Sequence, residues 1–204
     1  MNENKSAGRI GQFLARKNII FSGKRYGIDA LGAMAQGLFA SLLIGTIVST
    51  LGQQLGMEFL ITVGNYTKST YVVGAAMAIS IGYALQAPQL VLFSLVSVGA
   101  AANELGAAGG PLAVLIITVL AAECGKAVSK ETRIDILATP LVTILVGIFF
   151  SLWWAPAIGT AAGRTGDLIM WATELQPFFM GILVSVIVGI ALTLPISSAA
   201  ICAA

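Results

Sequence analysis

The chain has 204 residues, 57% of them hydrophobic and only 10% charged, and a formal net charge of +2. Several apolar runs are long enough to cross a hydrocarbon core about 30 Å thick, which a soluble domain of this size would not need. The composition therefore excludes a soluble fold. The small charge, concentrated before the first apolar run, excludes nucleic acid as a partner. We predict an all-α, polytopic integral membrane protein surrounded by membrane lipids.

Residues 1–27 form a basic amphipathic segment ahead of the apolar runs. Lys and Arg residues are interleaved there with large apolar residues, a pattern that binds anionic membrane surfaces. We expect this segment to act as a cytoplasmic anchor at the membrane surface. A regulatory or partner-docking role is the alternative.

Six apolar segments follow and define a membrane-embedded domain over residues 28–204. They are predicted at residues 28–51, 71–85, 89–102, 111–126, 134–156 and 177–195. The second and third are shorter than the ~20 residues of a perpendicular crossing. Either they are short, tilted, broken or re-entrant helices, or residues 71–102 form one kinked helix and the count falls to five.

The distribution of basic residues favours six crossings. Three basic residues crowd the connection at residues 126–133, whereas the connections at residues 52–70 and 157–176 hold one each. The positive-inside rule then places the N-terminus and residues 126–133 in the cytoplasm. An odd number of crossings must separate residues 68 and 126, and three segments satisfy this.

Small residues recur every four positions in the first segment, at Ala33, Gly37, Ser41 and Gly45. Such a stripe lets a neighbouring helix approach closely. We expect that neighbour to belong to the same chain, and a separate protein partner is the alternative.

Ionisable residues inside apolar segments are costly to bury and are candidates for function. Glu123 is the first candidate, and we expect it to matter more than Glu104, which lies in a Gly/Ala-rich turn that water can reach. Lys126 follows Glu123 by three positions, so a local ion pair is the alternative. Asp135 opens the fifth segment, where an acidic residue offsets the helix dipole.

Breaks between helices supply polar candidates. Asn103 heads the Gly-rich turn before the fourth segment, and Gln86 lies in a divider that contains a proline. The sixth segment breaks at a proline into small polar residues, where backbone and hydroxyl groups can contact a solute. The predicted substrate-binding residues are Glu123, Glu104, Asn103, Gln86, Pro195, Ser197 and Ser198.

The sequence shows no pattern typical of a metal site or a catalytic site. The sequence has no histidine, and Cys124 and Cys202 lie in or beside apolar segments without CxxC spacing, so we expect no metal site, no cofactor and no disulfide framework. No paired nucleophile and base is recognisable, and we assign no catalytic residue. Residues 159–166 are glycine-rich but lack a phosphate-loop ending, and we interpret them as a flexible external turn.

Five stretches, taken in chain order, resemble a single family. They are residues 37–45, 123–126, 131–145, 176–182 and 192–201. Together they resemble the EIIC-like (type 2) membrane component of the phosphotransferase system, a family that includes the perfringolysin regulator.

The resemblance implies a permease-like protein of the bacterial cytoplasmic membrane that binds and translocates a small polar solute such as a sugar. It also implies a homodimer and phosphotransferase EIIA and EIIB proteins as partners, so any enzyme chemistry would belong to the complex. A membrane regulator or sensor on the same scaffold is the alternative. A vitamin-transporter component fits the size but not these stretches. Family members continue beyond residues 192–201, so we expect the sequence to lack a C-terminal part.

Overall fold

The computed structural model describes residues 9–20, 22–131, 134–173, 185, 186 and 189. Within these ranges all regular secondary structure is helical, so the all-α prediction is confirmed. The helices with described bounds are α1 (Arg9–Arg16), α2 (Lys24–Leu55), α3 (Glu58–Thr67), α4 (Thr70–Ala84), α5 (Gln89–Gly106), α6 (Gly110–Val128) and α7 (Asp135–Thr173).

Among the described residues, three stretches are long and apolar enough to cross a membrane, namely Lys24–Leu55, Gln89–Val128 and Asp135–Arg164, and Thr70–Ala84 is a shorter apolar helix. The chain is therefore a multi-pass membrane protein. Of the sixth predicted segment, residues 177–195, only residues 185, 186 and 189 are described.

The stretch Gln89–Val128 is a hairpin rather than one straight helix. A short 3₁₀ turn, Ala107–Gly109, separates α5 from α6. Gly125 faces Val91 at one end of the hairpin, and Gly110 faces Asn103 at the other, so the two helices are antiparallel. With 18 and 19 residues they are each about 27 to 29 Å long, close to the thickness of the hydrocarbon core.

A longer hairpin joins α2 to α3 and α4. The turn is at Gly56, whose left-handed backbone has a φ of 65° that glycine adopts without steric cost. Gly52 then faces Ile61, and Gly37 faces Ala76. Both α3 and α4 therefore run back along α2, and the small-residue stripe packs within the same chain, as expected. Residues 52–70, predicted as a connection, instead contain α3, because their apolar residues pack on α2.

The pair α4 and α5 is antiparallel and packs very closely. A Cβ atom added to Gly74 or to Gly99 would overlap the backbone of the other glycine. Two helices that lie side by side cannot be one kinked helix, so the alternative of a single helix over residues 71–102 is wrong.

Helix α7 packs alongside both α5 and α6. It extends from Asp135 to Thr173, well past the predicted end at residue 156. The expectation of a flexible turn at residues 159–166 is therefore wrong. Gly159 explains the difference: it lies directly against the α5–α6 turn, where an added Cβ would be 2.6 Å from the carbonyl oxygen of Gly106. Close backbone packing holds the Gly/Ala-rich sequence in a helix.

The core lies between α4, α5 and α6, and the other long helices form the outside. Fully buried side chains include Met77, Leu95 and Ile117, whereas Leu43 on α2 and Trp153 on α7 are exposed. An apolar exterior of this kind suits contact with lipid tails, as expected for a bundle in which α4 to α6 supply the interior.

Helix directions define two ends of the bundle. The basal end carries the start of α2, the α4–α5 turn and the α6–α7 connection. The distal end carries the α5–α6 turn and the junction between α3 and α4. Residues 9–20 contact the α6–α7 connection, so the N-terminal segment and residues 126–131 lie at the same end, as the charge distribution predicts.

Candidate functional site

The structure separates the predicted site residues into two groups. Gln86 and Glu123 lie at the basal end, and Asn103 and Glu104 at the distal end. Glu123 is about 20 Å further along α6 than Gly110, which faces Asn103. These four residues therefore do not form one site. The predicted residues Pro195, Ser197 and Ser198 lie outside the described residues.

At the basal end a lysine is buried among three segments. The side chain of Lys126 is only 1% exposed. Its Nζ lies 2.8 Å from Oε1 of Glu123 and donates to the backbone carbonyls of Asn18 and Leu85, each at 3.2 Å. These three contacts use the three donors of the ammonium group. The local ion pair weighed as an alternative for Glu123 is thus present, and it also joins α6 to α1 and α4.

Arg25 is a second cation that donates to the carbonyl oxygen of Leu85. Arg25 donates to the carbonyl oxygen of Leu85 at 2.5 Å and to Oδ1 of Asn18 at 3.2 Å. Asn18 in turn donates to Oε1 of Gln86 at 2.6 Å. The carbonyls concerned follow the last turns of α1 and α4, where helices lack internal hydrogen-bond donors. Cations at these positions complement the negative ends of the helix dipoles.

Glu131 fastens residues 9–20 to the α6–α7 connection. Its Oε1 lies 2.7 Å from Nζ of Lys17 and 2.8 Å from a guanidinium nitrogen of Arg16. Lys17 also donates to the carbonyl of Ser129. The hydrogen bond from Lys17, together with the charges of both cations, lowers the pKa of the Glu131 carboxyl from its usual value. Asp135, in the first turn of α7 as expected, accepts from the backbone N–H of Lys130 at 2.7 Å.

These contacts surround an open cleft with a volume of about 410 Å³, which we call the basal cleft. Its walls are the end of α1, the α4–α5 turn and residues 126–131. Most of its lining residues are polar, and four of the nine described ones are basic, whereas the long helices of the bundle are apolar. It is therefore the clearest charged feature of the basal end.

At the distal end, polar side chains lie around the interruption between α3 and α4. Lys68 and Ser69 separate α3 from α4, and Ser69 has an extended backbone. Nζ of Lys68 donates to Oγ of Ser49 on α2 at 3.0 Å. Interrupted membrane helices expose backbone groups that transporters use for binding.

Asn103 and Glu104 contact the first turn of α4 beside this interruption. Asn103 is buried and donates through Nδ2 to the carbonyl of Thr70 at 2.8 Å. The hydroxyl of Tyr71 donates to Oε1 of the exposed Glu104 at 2.5 Å. The distal cluster, as we call Lys68, Thr70, Tyr71, Asn103 and Glu104, thus combines a carboxylate, a phenol, an amide and an ammonium group.

Sequence reasoning missed several of these residues. Lys68 carries a usable signal, because it is ionisable and follows an apolar run. Tyr71 and Asn18 carry none, since their partners lie far away in the chain. Among the described residues no group of three His, Cys, Asp or Glu side chains could hold a metal ion.

An apolar helical bundle with a buried ion pair and an interrupted helix has the organisation of a membrane transport protein. The family profile described as "Phosphotransferase system, EIIC" matches residues 28–204. The chain belongs to this family and is a permease-like membrane component of the phosphotransferase system. No curated protein and no solved structure matches it.

Proposed function

We propose that the chain binds and translocates a small polyhydroxylated solute such as a sugar, and that the distal cluster contacts it. The observation that carries this proposal is the 2.5 Å hydrogen bond from the Tyr71 hydroxyl to Glu104. A carboxylate that accepts one hydroxyl hydrogen has further lone pairs for a solute hydroxyl. Hydrogen bonds to an ionised acceptor are about twice as strong as neutral ones, so Glu104 is well suited to this role.

The remaining candidates are given roles by their positions. Asn103 is buried, so we assign it to holding the first turn of α4 rather than to direct contact. Glu104 and Tyr71 are exposed and can be reached by a solute. Pro195, Ser197 and Ser198 are proposed to contribute further solute contacts, and Gln86 and Glu123 to lie on the basal part of the path.

The family supports a proposal for the cellular setting. We propose the bacterial cytoplasmic membrane, with the basal end in the cytoplasm, because the basic residues of the chain gather at that end. EIIA and EIIB proteins of the phosphotransferase system are the proposed soluble partners. We also propose a homodimer, for which the exposed apolar side chains of α7, including Leu152 and Trp153, offer a surface.

The test is uptake of a panel of labelled sugars by cells that express the full-length gene with its partner proteins. Wild-type protein should give saturable uptake of at least one sugar. Glu104→Gln should raise the half-saturating concentration about tenfold, since it replaces a charge-assisted hydrogen bond worth about 1.5 to 3 kcal/mol with a neutral one. Tyr71→Phe should change the half-saturating concentration less, because the Glu104 side chain is kept as an acceptor for the solute.

The matched control is Glu58→Gln, which removes an exposed carboxylate from the start of α3. Its uptake should equal that of the wild type. Absence of saturable uptake for every sugar at normal protein levels would refute transport. Unchanged uptake by Glu104→Gln would remove the distal cluster from the solute path.

A membrane regulator or sensor is the second candidate function. The observation that favours it is the contact between Lys126 and the carbonyl of Asn18, because it connects α6 directly to the N-terminal segment. Solute binding could then change partner contacts through residues 9–20 without transport. A spin label at Ala15 that changes mobility when solute is added, in a protein that gives no uptake, would support this alternative.

A further inference from the structure

Three strained residues meet at the basal cleft. Asn18, Gln86 and Lys130 have φ values of 55°, 54° and 61°, and all three line the cleft. They follow the ends of α1, α4 and α6, at positions where glycine is the usual residue because it has no Cβ. Backbone strain of this kind persists where the surrounding structure or a function requires the side chain.

The basic side chains at the cleft differ in how many of their hydrogen-bond donors already have an acceptor. Lys126 is saturated by its three acceptors, and Lys17 bonds Ser129 and Glu131. These contacts cap helix ends and need no ligand. The ammonium group of Lys130, in contrast, makes no hydrogen bond to any other described residue, and only one guanidinium nitrogen of Arg16 bonds Glu131. Donors at Lys130 and Arg16 therefore stay available.

The charges leave the cleft positive. Among the described residues, four cations line it and Glu131 is the one carboxylate in the lining. Glu123 balances Lys126, and Glu131 balances either Arg16 or Lys17. Asp135 lies close by and accepts from the backbone of Lys130, but it is not part of the lining. An uncompensated positive charge at the mouth of a polar cleft favours an anion.

We propose that the basal cleft binds a phosphate group, with Lys130 and Arg16 as charged donors and the side-chain amide of Gln86 as a neutral one. The cleft volume of 410 Å³ exceeds that of a phosphate ion, so a phosphate ester also fits. The group comes either from a soluble phosphate compound or from the headgroup of an anionic phospholipid. This inference does not depend on the proposed solute contacts at the distal end.

The test uses the purified full chain in nanodiscs and measures the thermal unfolding midpoint. One arm adds inorganic phosphate to phosphatidylcholine nanodiscs, with chloride at equal ionic strength as the reference. The other arm replaces part of the phosphatidylcholine with phosphatidylglycerol and adds no phosphate. At a ligand concentration about ten times the dissociation constant, the wild-type midpoint should rise by roughly 2 to 5 °C in the arm that supplies the true ligand.

Lys130→Gly is the decisive variant, because it removes a donor and relieves the strained backbone at the same time. It should fold at least as stably as the wild type and lose the ligand-dependent rise. Ala107→Gly is the matched control: Ala107 also has a positive φ, 43°, but lies at the distal turn. It should keep the full rise.

The outcomes distinguish the two ligand sources from each other and from results that would overturn the proposal. A rise with inorganic phosphate that Lys130→Gly loses supports a soluble phosphate ligand. A rise only with phosphatidylglycerol, lost in the same variant, supports a lipid headgroup. A rise that Lys130→Gly retains would mean a general salt or lipid effect, and it would overturn the proposal, as would no rise in either arm.

Discussion

Nζ of Lys126 and the carbonyl oxygen of Leu85 lie 3.2 Å apart, although 41 residues separate them in the chain. The ammonium group is buried, and the carbonyl directly follows the last turn of α4. Because Glu123 and Asn18 share the same ammonium, one side chain joins three segments at the basal end. Removal of this side chain should therefore lower the stability of the protein, whether or not Lys126 takes part in solute binding.

Lys126→Met should destabilise the protein by about 3 to 5 kcal/mol, because it leaves the Glu123 carboxylate buried without its partner. The double variant Glu123→Gln with Lys126→Met should recover part of this loss, since no buried charge is left. The measurement is the free energy of unfolding in detergent for both variants. Equal destabilisation in the single and the double variant would contradict the role of the ion pair.

The same variants decide whether Glu123 acts on the solute. If Glu123→Gln stops uptake at normal protein levels and the double variant does not recover it, the carboxylate contacts solute or couples transport. Recovery in the double variant would make the pair structural. Wild-type uptake by the single variant would remove Glu123 from the proposed site.

Gly99→Ala should destabilise the contact between α4 and α5. The new Cβ would overlap the backbone of Gly74, and overpacking of this kind costs about 1 to 3 kcal/mol. Gly163→Ala on α7 is the matched control, because no atom lies within 4 Å of the added Cβ. The thermal midpoint should fall for Gly99→Ala and stay equal or rise for Gly163→Ala. A midpoint unchanged by Gly99→Ala would show that α4 and α5 can move apart without loss of stability.

Reporter fusions should show that the two ends of the bundle face opposite sides of the membrane. A fusion at Ser129, in the α6–α7 connection, should report the cytoplasm, and one at Thr165, near the end of α7, should report the outside. A third fusion at Met57, in the α2–α3 turn, should agree with Thr165. Identical locations for Ser129 and Thr165 would contradict the order of crossings.

Attachment of residues 9–20 should depend on pH through Glu131. The pKa of this carboxyl is lowered by its hydrogen bond with Lys17, so the stabilisation is complete above the usual value of 4.5 and is lost as pH falls through the lowered pKa. A spin label at Ala15 should become mobile only in that acid range. Glu131→Gln should make the label mobile at neutral pH, and a label that is immobile in this variant would show that other contacts hold the segment.

The helical fold was predictable because its signals are local. Apolar runs, proline-containing dividers and the four-residue stripe of Gly37 and Gly45 all lie within single segments. Helix α3 was not predicted because its apolar run, residues 59–63, is short and is followed by mostly polar residues up to residue 70. The end of α7 was missed because glycines such as Gly159 are stabilised in a helix only by the close approach of α5.

The polar sites were predictable only in part. Spacing alone paired Glu123 with Lys126, since both lie on one helix. The carbonyl partners of Lys126 could not be predicted, because every residue has a backbone carbonyl and the sequence does not show which of them lie near Lys126. Glu104 is exposed at the end of α5, and its contact with Tyr71 could not be predicted, because it depends on how α4 and α5 align.

The buried ammonium of Lys126 also sets an order of assembly. Translation proceeds from the N-terminus, so the carbonyls of Asn18 and Leu85 are synthesised before the lysine that bonds them. Until α6 has inserted, the ends of α1 and α4 must rely on water or on Arg25. The basal end is therefore completed only after residue 126 has been synthesised, and a chain stalled before that residue would lack the bonds from Lys126 to the carbonyls of Asn18 and Leu85.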